Sequence, residues 1–200
     1  MKKLNLHRVE EELFSLNLKV FRPCDLEVIF GANSRAVAGF LHYNAKKGAI
    51  LRLKKGLYAF ERNLPADFVL ANLLYQPSYV SLDTALSHYH LIPETVYAVT
   101  SVTTKPTREF GVQERLFEYR KIKKQAYTGY FPQDFSGEVA HLASPEKAVA
   151  DFLYFVYLGK RSYNDRLRWG RIKMSRLRKY LKLFGQRRLI ILAEKLSQKR

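Results

Sequence analysis

The chain of 200 residues contains one cysteine, Cys24. A single cysteine excludes an intrachain disulfide framework and any zinc site that needs two thiolates. Long apolar runs are missing too. A membrane-spanning helix needs about 20 consecutive apolar residues. The nearest candidate, Ala148 to Leu158, is shorter and contains Asp151. The first residues, Met1-Lys2-Lys3-Leu4-Asn5, lead into Glu10-Glu11-Glu12 without the apolar centre of a secretory signal. These absences predict a cytoplasmic protein with no membrane partner. Catalytic signatures are equally scarce. There is no H-E-x-x-H helix, no Walker-type glycine loop and no nucleophile elbow. His88 and His90 stand two residues apart, which on a helix turns them about 200° from each other and suits no shared metal. Asp83, Glu94 and Glu146 follow no local pattern that makes them a catalytic set. The sequence therefore predicts no catalytic residue, no metal and no cofactor, and a protein that is not an enzyme.

Acidic residues are few: 18 Asp and Glu face 35 Lys and Arg, for a net charge of +17. The excess is uneven. Residues 1–62 carry 12 basic against 6 acidic side chains, residues 63–150 carry 8 against 9, and residues 151–200 carry 15 against 3. Two basic ends flank a neutral middle. Surfaces of that kind attract phosphate backbones and release counterions on binding. Hydrophobic residues make up 47% of the chain, enough for real cores.

The stretch from Cys24 to Phe60 has the most specific pattern. His7 to Asn17 reads as a first helix, with Val9, Leu13 and Leu16 near helical spacing. Pro23 suits the start of a second, with Leu26, Ile29 and Phe30 as its apolar face and Gly31 as a left-handed cap. Ser34 is the expected N-cap of a third, which runs to about Lys47 before Gly48. At about 100° per residue, Val37, Phe40, Leu41 and Asn44 fall on one side of it, and Arg35, Gly39, His42 and Lys46 on the other. A hairpin follows, with strand formers from Ile50 to Phe60 and a turn at Lys54-Lys55-Gly56. Helix, turn, helix and two-stranded wing outline a winged helix-turn-helix. On that reading Ser34, Arg35, Gly39, His42, Lys46, Lys47, Arg52, Lys54 and Lys55 are the DNA-binding candidates. A solvated helix face and hairpin tip are the bland alternative.

Residues 61–66 read as a linker around Pro65, so the expected domains are residues 1–62 and 67–200. In the second, Asp67 to Tyr75 and Ser81 to His90 are expected helices. Tyr97 to Thr104, Leu116 to Ile122, Tyr127 to Phe131 and Val139 to Ala143 are expected strands. Ser144-Pro145-Glu146 opens an aromatic core helix that ends before Gly159. The final forty residues read as basic helices, with Leu177, Tyr180, Leu181 and Phe184 on one face. Arg178, Lys179 and Lys182 lie on the other, and with Arg176 they are candidates for contact with a toxin or nucleic acid. The fold class is α+β.

Three stretches carry a resemblance. They are Arg52-Leu53-Lys54-Lys55-Gly56-Leu57-Tyr58-Ala59; Pro77-Ser78-Tyr79-Val80-Ser81-Leu82-Asp83-Thr84-Ala85-Leu86 with His90-Leu91-Ile92-Pro93-Glu94; and Ala143-Ser144-Pro145-Glu146-Lys147-Ala148. In order and separation they resemble the AbiEi family of bacterial antitoxins and transcriptional regulators, of type IV toxin–antitoxin systems linked to phage defence. The resemblance implies a winged helix joined to a mixed α/β antitoxin domain. It implies binding of the protein to its own operator in double-stranded DNA, and neutralisation of a nucleotidyltransferase-like toxin, with or without direct contact. Two other readings stand beside it. One is a non-specific binder of RNA or of the DNA backbone that uses the basic C-terminus and Trp169. The other is an enzyme with no recognisable motif.

Overall fold

A computed structural model describes residues 4–198. They form an α+β protein with one antiparallel and one mixed sheet, in two compact units that divide between Ala66 and Asp67.

The first unit holds α1 (Leu6–Ser15), β1 (Val20–Phe21), α2 (Pro23–Phe30), α3 (Ser34–Lys46), β2 (Ile50–Lys54) and β3 (Leu57–Phe60). Pro23 sits in the first turn of α2, where its missing N–H costs nothing. Gly31 ends α2 at φ 60°, a backbone conformation that glycine adopts without a steric cost. The sheet order is β1-β3-β2, all antiparallel. β1 had no signal in the sequence, because two residues are too short to show alternation. Phe21 from this strand is fully buried and packs with Val9, Leu13, Leu26, Val37, Phe40, Leu41, Ile50 and Phe60. Beyond β3, the expected linker begins with a 3-10 turn, Glu61–Asn63.

The second unit holds α4 (Asp67–Leu74), β4 (Ser78–Val80), α5 (Leu82–His88), β5 (Val99–Thr103), β6 (Arg108–Val112), β7 (Arg115–Lys121), β8 (Tyr130–Phe135), β9 (Glu138–Ala143), α6 (Pro145–Tyr157), α7 (Met174–Lys182) and α8 (Arg187–Gln198). Its six strands are ordered β6-β7-β5-β4-β9-β8. The β5–β7 and β4–β9 pairs are parallel and the others antiparallel. β5 is buried at every position, as a strand covered on both faces should be. The sequence reading missed β4 and β6. β4 is three residues long, and β6 is an edge strand with exposed Arg108 and Glu109 and a glycine inside it. The third expected strand also starts later than expected. Residues Lys124–Ala126 form a 3-10 turn, and the strand begins at Tyr130, not Tyr127. Pro132 lies in β8, where the missing N–H faces an open edge.

Helix α6 is the centre of this unit. The Ser144 side chain accepts from Lys147 N–H, and Pro145 fills the first helical position. Every residue from Glu146 to Phe155 is buried. A helix enclosed on all sides cannot leave Lys147 and Asp151 to water, and both are fully buried. One helical turn apart, they pair with each other at 2.5 Å. Tyr79 and Ser81 hydroxyls donate to the other carboxylate oxygen at 2.9 and 2.8 Å. Lys147 also lies over the Phe184 ring, which stacks on Tyr154. Burial pushes the Asp151 carboxyl up, while Lys147, Ser81 and Tyr79 all act against that by favouring the carboxylate.

Candidate nucleic-acid interface

Helix α3 sorts its side chains into two faces. Val37, Phe40, Leu41 and Asn44 are buried. The polar member, Asn44, gives its amide N–H to Phe40 C=O at 2.8 Å, so its burial leaves that donor satisfied. Arg35, Gly39, His42 and Lys46 are exposed. The separation follows from helical periodicity alone.

The start of the helix differs from the sequence reading. Asn33, not Ser34, is the N-cap, and its side chain accepts from Ala36 N–H at 2.8 Å. Both residue types serve as caps, and the chain turns helical one residue earlier than expected. Ser34 is thus the first helical residue, exposed beside Arg35. The preceding helix is fixed at its start by Asp25, which accepts from Arg22 N–H at 2.7 Å and pairs with the guanidinium at 3.1 Å. Burial works to raise the Asp25 carboxyl, but the bonds from Arg22 and Cys24 hold it below its usual range.

One exposed side chain, Tyr43, extends the face beyond the sequence reading. Tyr43 is exposed, four residues after Gly39, and Lys47 lies over its ring at 4.4 Å. The i, i+4 spacing from Gly39 was the available signal for Tyr43. An aromatic residue at such a position reads as core, and this one is not.

The hairpin places its cations unequally. Arg52 and Lys55 are exposed, whereas Lys54 is half-buried. Lys54 belongs to β2 and pairs with Leu57, so the turn consists of Lys55 and Gly56. Gly56 has φ 75°, which the turn requires. A register shift between Arg52 and Lys54 separates the two strand cations.

Gly39 carries a test of its own. A Cβ built there meets nothing within 4 Å. No internal contact demands glycine, and glycine inside a helix costs about 1 kcal/mol relative to alanine. Gly39→Ala is expected to raise stability by up to about that amount in thermal or denaturant melts. A destabilised variant would show that the helix itself needs the glycine.

In the second unit, Arg176, Arg178, Lys179 and Lys182 are all exposed on α7, opposite buried Leu177 and Leu181. They are not equivalent. Arg178 pairs with Glu194 of α8 at 2.9 Å and so helps tie two helices together. Lys123 and Gln125 side chains donate to the carbonyls of Phe184 and Leu183, both at 2.7 Å, which caps the end of α7.

Comparison with family models gives no match for this chain, and no curated protein matches it.

The carboxylates Asp83, Glu94 and Glu146 each have different partners. Asp83 pairs with Arg161. Glu94 pairs with Arg166 and accepts from the Asn164 amide. Glu146 accepts from Lys173 N–H. His88 ends α5 against Phe68, Tyr89 and Phe135, while His90 follows the helix in a left-handed conformation. Among the described residues, no group of three or more His, Cys, Asp or Glu is arranged to hold a metal ion. No helix among them is long and apolar enough to cross a membrane.

Proposed function

We propose that this protein is an AbiEi-type antitoxin that also represses its own operon by binding duplex DNA. The observation that carries the DNA-binding half is the exposed face of α3, Arg35, Gly39, His42 and Lys46, followed directly by a hairpin bearing Arg52 and Lys55. Three helices with a hairpin are the parts of a winged helix-turn-helix. In that arrangement α3 enters the major groove and the hairpin lies along the phosphates. Arg35 and Ser34, at the N-terminal end of α3, meet base edges. Lys46, Lys47, Arg52 and Lys55 meet phosphates, with Lys54 beside them. Gly39 lets the helix approach the backbone closely. Gly39→Ala, stabilising to the fold, should therefore weaken operator binding.

The antitoxin half rests on the resemblance of the two motifs in residues 77–94 and 143–148. The partner is a nucleotidyltransferase-like toxin. The exposed cations of α7 give a surface for an acidic protein or for the toxin's nucleic-acid substrate. Arg178 is engaged with Glu194, so the test uses Lys179→Glu with Lys182→Glu. That pair should leave the circular dichroism melt unchanged, since exposed charges contribute little to stability. It should reduce growth rescue when co-expressed with the toxin. Full rescue by the folded variant would remove α7 from neutralisation.

The deciding experiment has two readouts. The protein is titrated against DNA from upstream of its gene and against a scrambled duplex. It is then co-expressed with the toxin-like product of the adjoining reading frame. A specific regulator prefers its site by at least about 10³-fold. Equal binding of both duplexes would favour the backbone or RNA binder instead, for which the basic α7 and α8 provide the surface.

A further inference from the structure

A cavity of about 250 Å³ lies in the second unit, lined by α4, the start of β4 and the β8–β9 hairpin. Asn72 of α4, Gln76 and Ser78 around the start of β4, Tyr127 and Tyr130 before and in β8, and His141 of β9 line it. No lysine, arginine or carboxylate is among the lining residues.

Two of these residues have unused hydrogen-bonding capacity. Asn72 Oδ1 accepts from His141 N–H at 2.5 Å. That bond fixes the amide, because only its oxygen can accept. Asn72 Nδ2 then has no partner in the protein, and neither does Ser78 Oγ. Both residues are more than nine-tenths buried, at 8% and 6% exposure. Native proteins pair nearly all buried polar atoms, so two unpaired ones lining one cavity point to a ligand. The amide needs an acceptor; the hydroxyl can donate or accept.

The rest of the lining defines the shape. The Tyr127 and Tyr130 rings lie 5.2 Å apart and are tilted 57° to each other, and Tyr130 is held by stacking on Tyr79 at 4.4 Å. Burial, and then Tyr130, push the Tyr127 hydroxyl up, so it stays protonated and neutral. The volume is below the roughly 300–1,000 Å³ of drug-sized sites. The occupant is therefore small, flat and uncharged, with an acceptor on its edge. Aromatic stacking combined with hydrogen bonds to a ring edge is how proteins hold unstacked bases. Exposed Lys121 and Lys124, just before Tyr127 in the chain, suit a phosphate attached to such a base.

We propose that this cavity binds one unstacked nucleobase bearing a ring carbonyl, with Asn72 Nδ2 donating to the carbonyl, Ser78 completing the edge and the tyrosine pair forming an aromatic wall, one ring of which stacks on the base. A free nucleoside and a base within a single strand present the same edge. The full-length protein is titrated with uridine and guanosine by calorimetry. It is also titrated, by fluorescence anisotropy, with a short labelled oligouridylate and an abasic strand of equal length. Asn72→Asp keeps the oxygen that His141 N–H needs and removes the donor. Ser78→Ala deletes an unpaired hydroxyl. Both should weaken binding about five- to a hundredfold, the discrimination a good base contact supplies. Ser78→Ala should also melt at or above the wild type, which a serine with a structural role would not do. Binding of the strand but not of nucleosides assigns the site to single-stranded nucleic acid. Nucleosides binding as tightly as the strand assign it to free nucleosides. The proposal is overturned if no nucleoside binds and the abasic strand binds as well as oligouridylate. It is equally overturned if Ser78→Ala melts like the wild type and binds unchanged.

Discussion

Asp151→Ala is expected to destabilise the second unit by about 3–5 kcal/mol, the usual consequence of removing one partner from a buried ion pair. The carboxylate accepts from Tyr79, Ser81 and Lys147, and all the groups around it are enclosed. Its loss leaves the Lys147 ammonium buried without a counter-charge and two hydroxyls without their acceptor. For a unit of this size the melting temperature should fall by roughly 10–20 °C. Lys147→Met alone should cost less, because Tyr79 and Ser81 still donate to the carboxylate. The double variant, Lys147→Met with Asp151→Asn, removes both charges and keeps an oxygen for the hydroxyls. It should recover most of the loss, since a buried pair is close to neutral against uncharged replacements. Thermal and denaturant melts of these proteins, with the single variant Asp151→Asn added to close the cycle, give the coupling energy. A cost below about 1 kcal/mol for Asp151→Ala would mean that the pair is not held in the enclosed state described.

Operator binding is expected to fall about a hundredfold between 50 and 200 mM salt. If Lys46, Lys47, Arg52 and Lys55 each neutralise one phosphate, log affinity against log salt has a slope of about −3 to −4. Lys55→Ala should weaken all duplexes alike and reduce that slope by about one unit. Lys55 is the better choice than Lys54, which is half-buried in β2. Arg35→Ala has a different signature. Arg35 is exposed at the N-terminal end of α3, and on the proposed DNA-binding reading it makes a bidentate guanine contact worth about 1–3 kcal/mol of discrimination. Its removal should lower the ratio of operator to scrambled affinity. Equal losses for both duplexes would make Arg35 a phosphate contact, and a flat salt dependence would dispose of the electrostatic account.

Readings of individual residues changed with the structure, some for local and some for tertiary reasons. Ser34 gave up the cap to Asn33, because adjacent residues of similar capping strength compete and the turn after Gly31 decides between them. Arg178 shared a periodic face with Lys179 and Lys182, but its partner, Glu194, comes from a helix that periodicity within α7 cannot place.

The sequence by itself determined the features governed by near neighbours. It determined the two faces of α3, since 3.6-residue periodicity needs no tertiary information. The left-handed cap at Gly31 and the Ser144-Pro145 opening of α6 were legible because capping depends on a few consecutive residues. The uneven charge was legible because it is a count. Tertiary structure alone decided the rest. Strand order β6-β7-β5-β4-β9-β8 joins segments far apart in the chain, and β4 and β6 carry too little pattern to be seen singly. Lys147 and Asp151 look in the sequence like a solvated i, i+4 pair; only enclosure by the rest of the unit makes them a buried network with Tyr79 and Ser81. The cavity at Asn72, Ser78, Tyr127, Tyr130 and His141 draws on four separate stretches, and its unpaired amide exists because His141 N–H, about seventy residues away in the chain, takes the Asn72 oxygen.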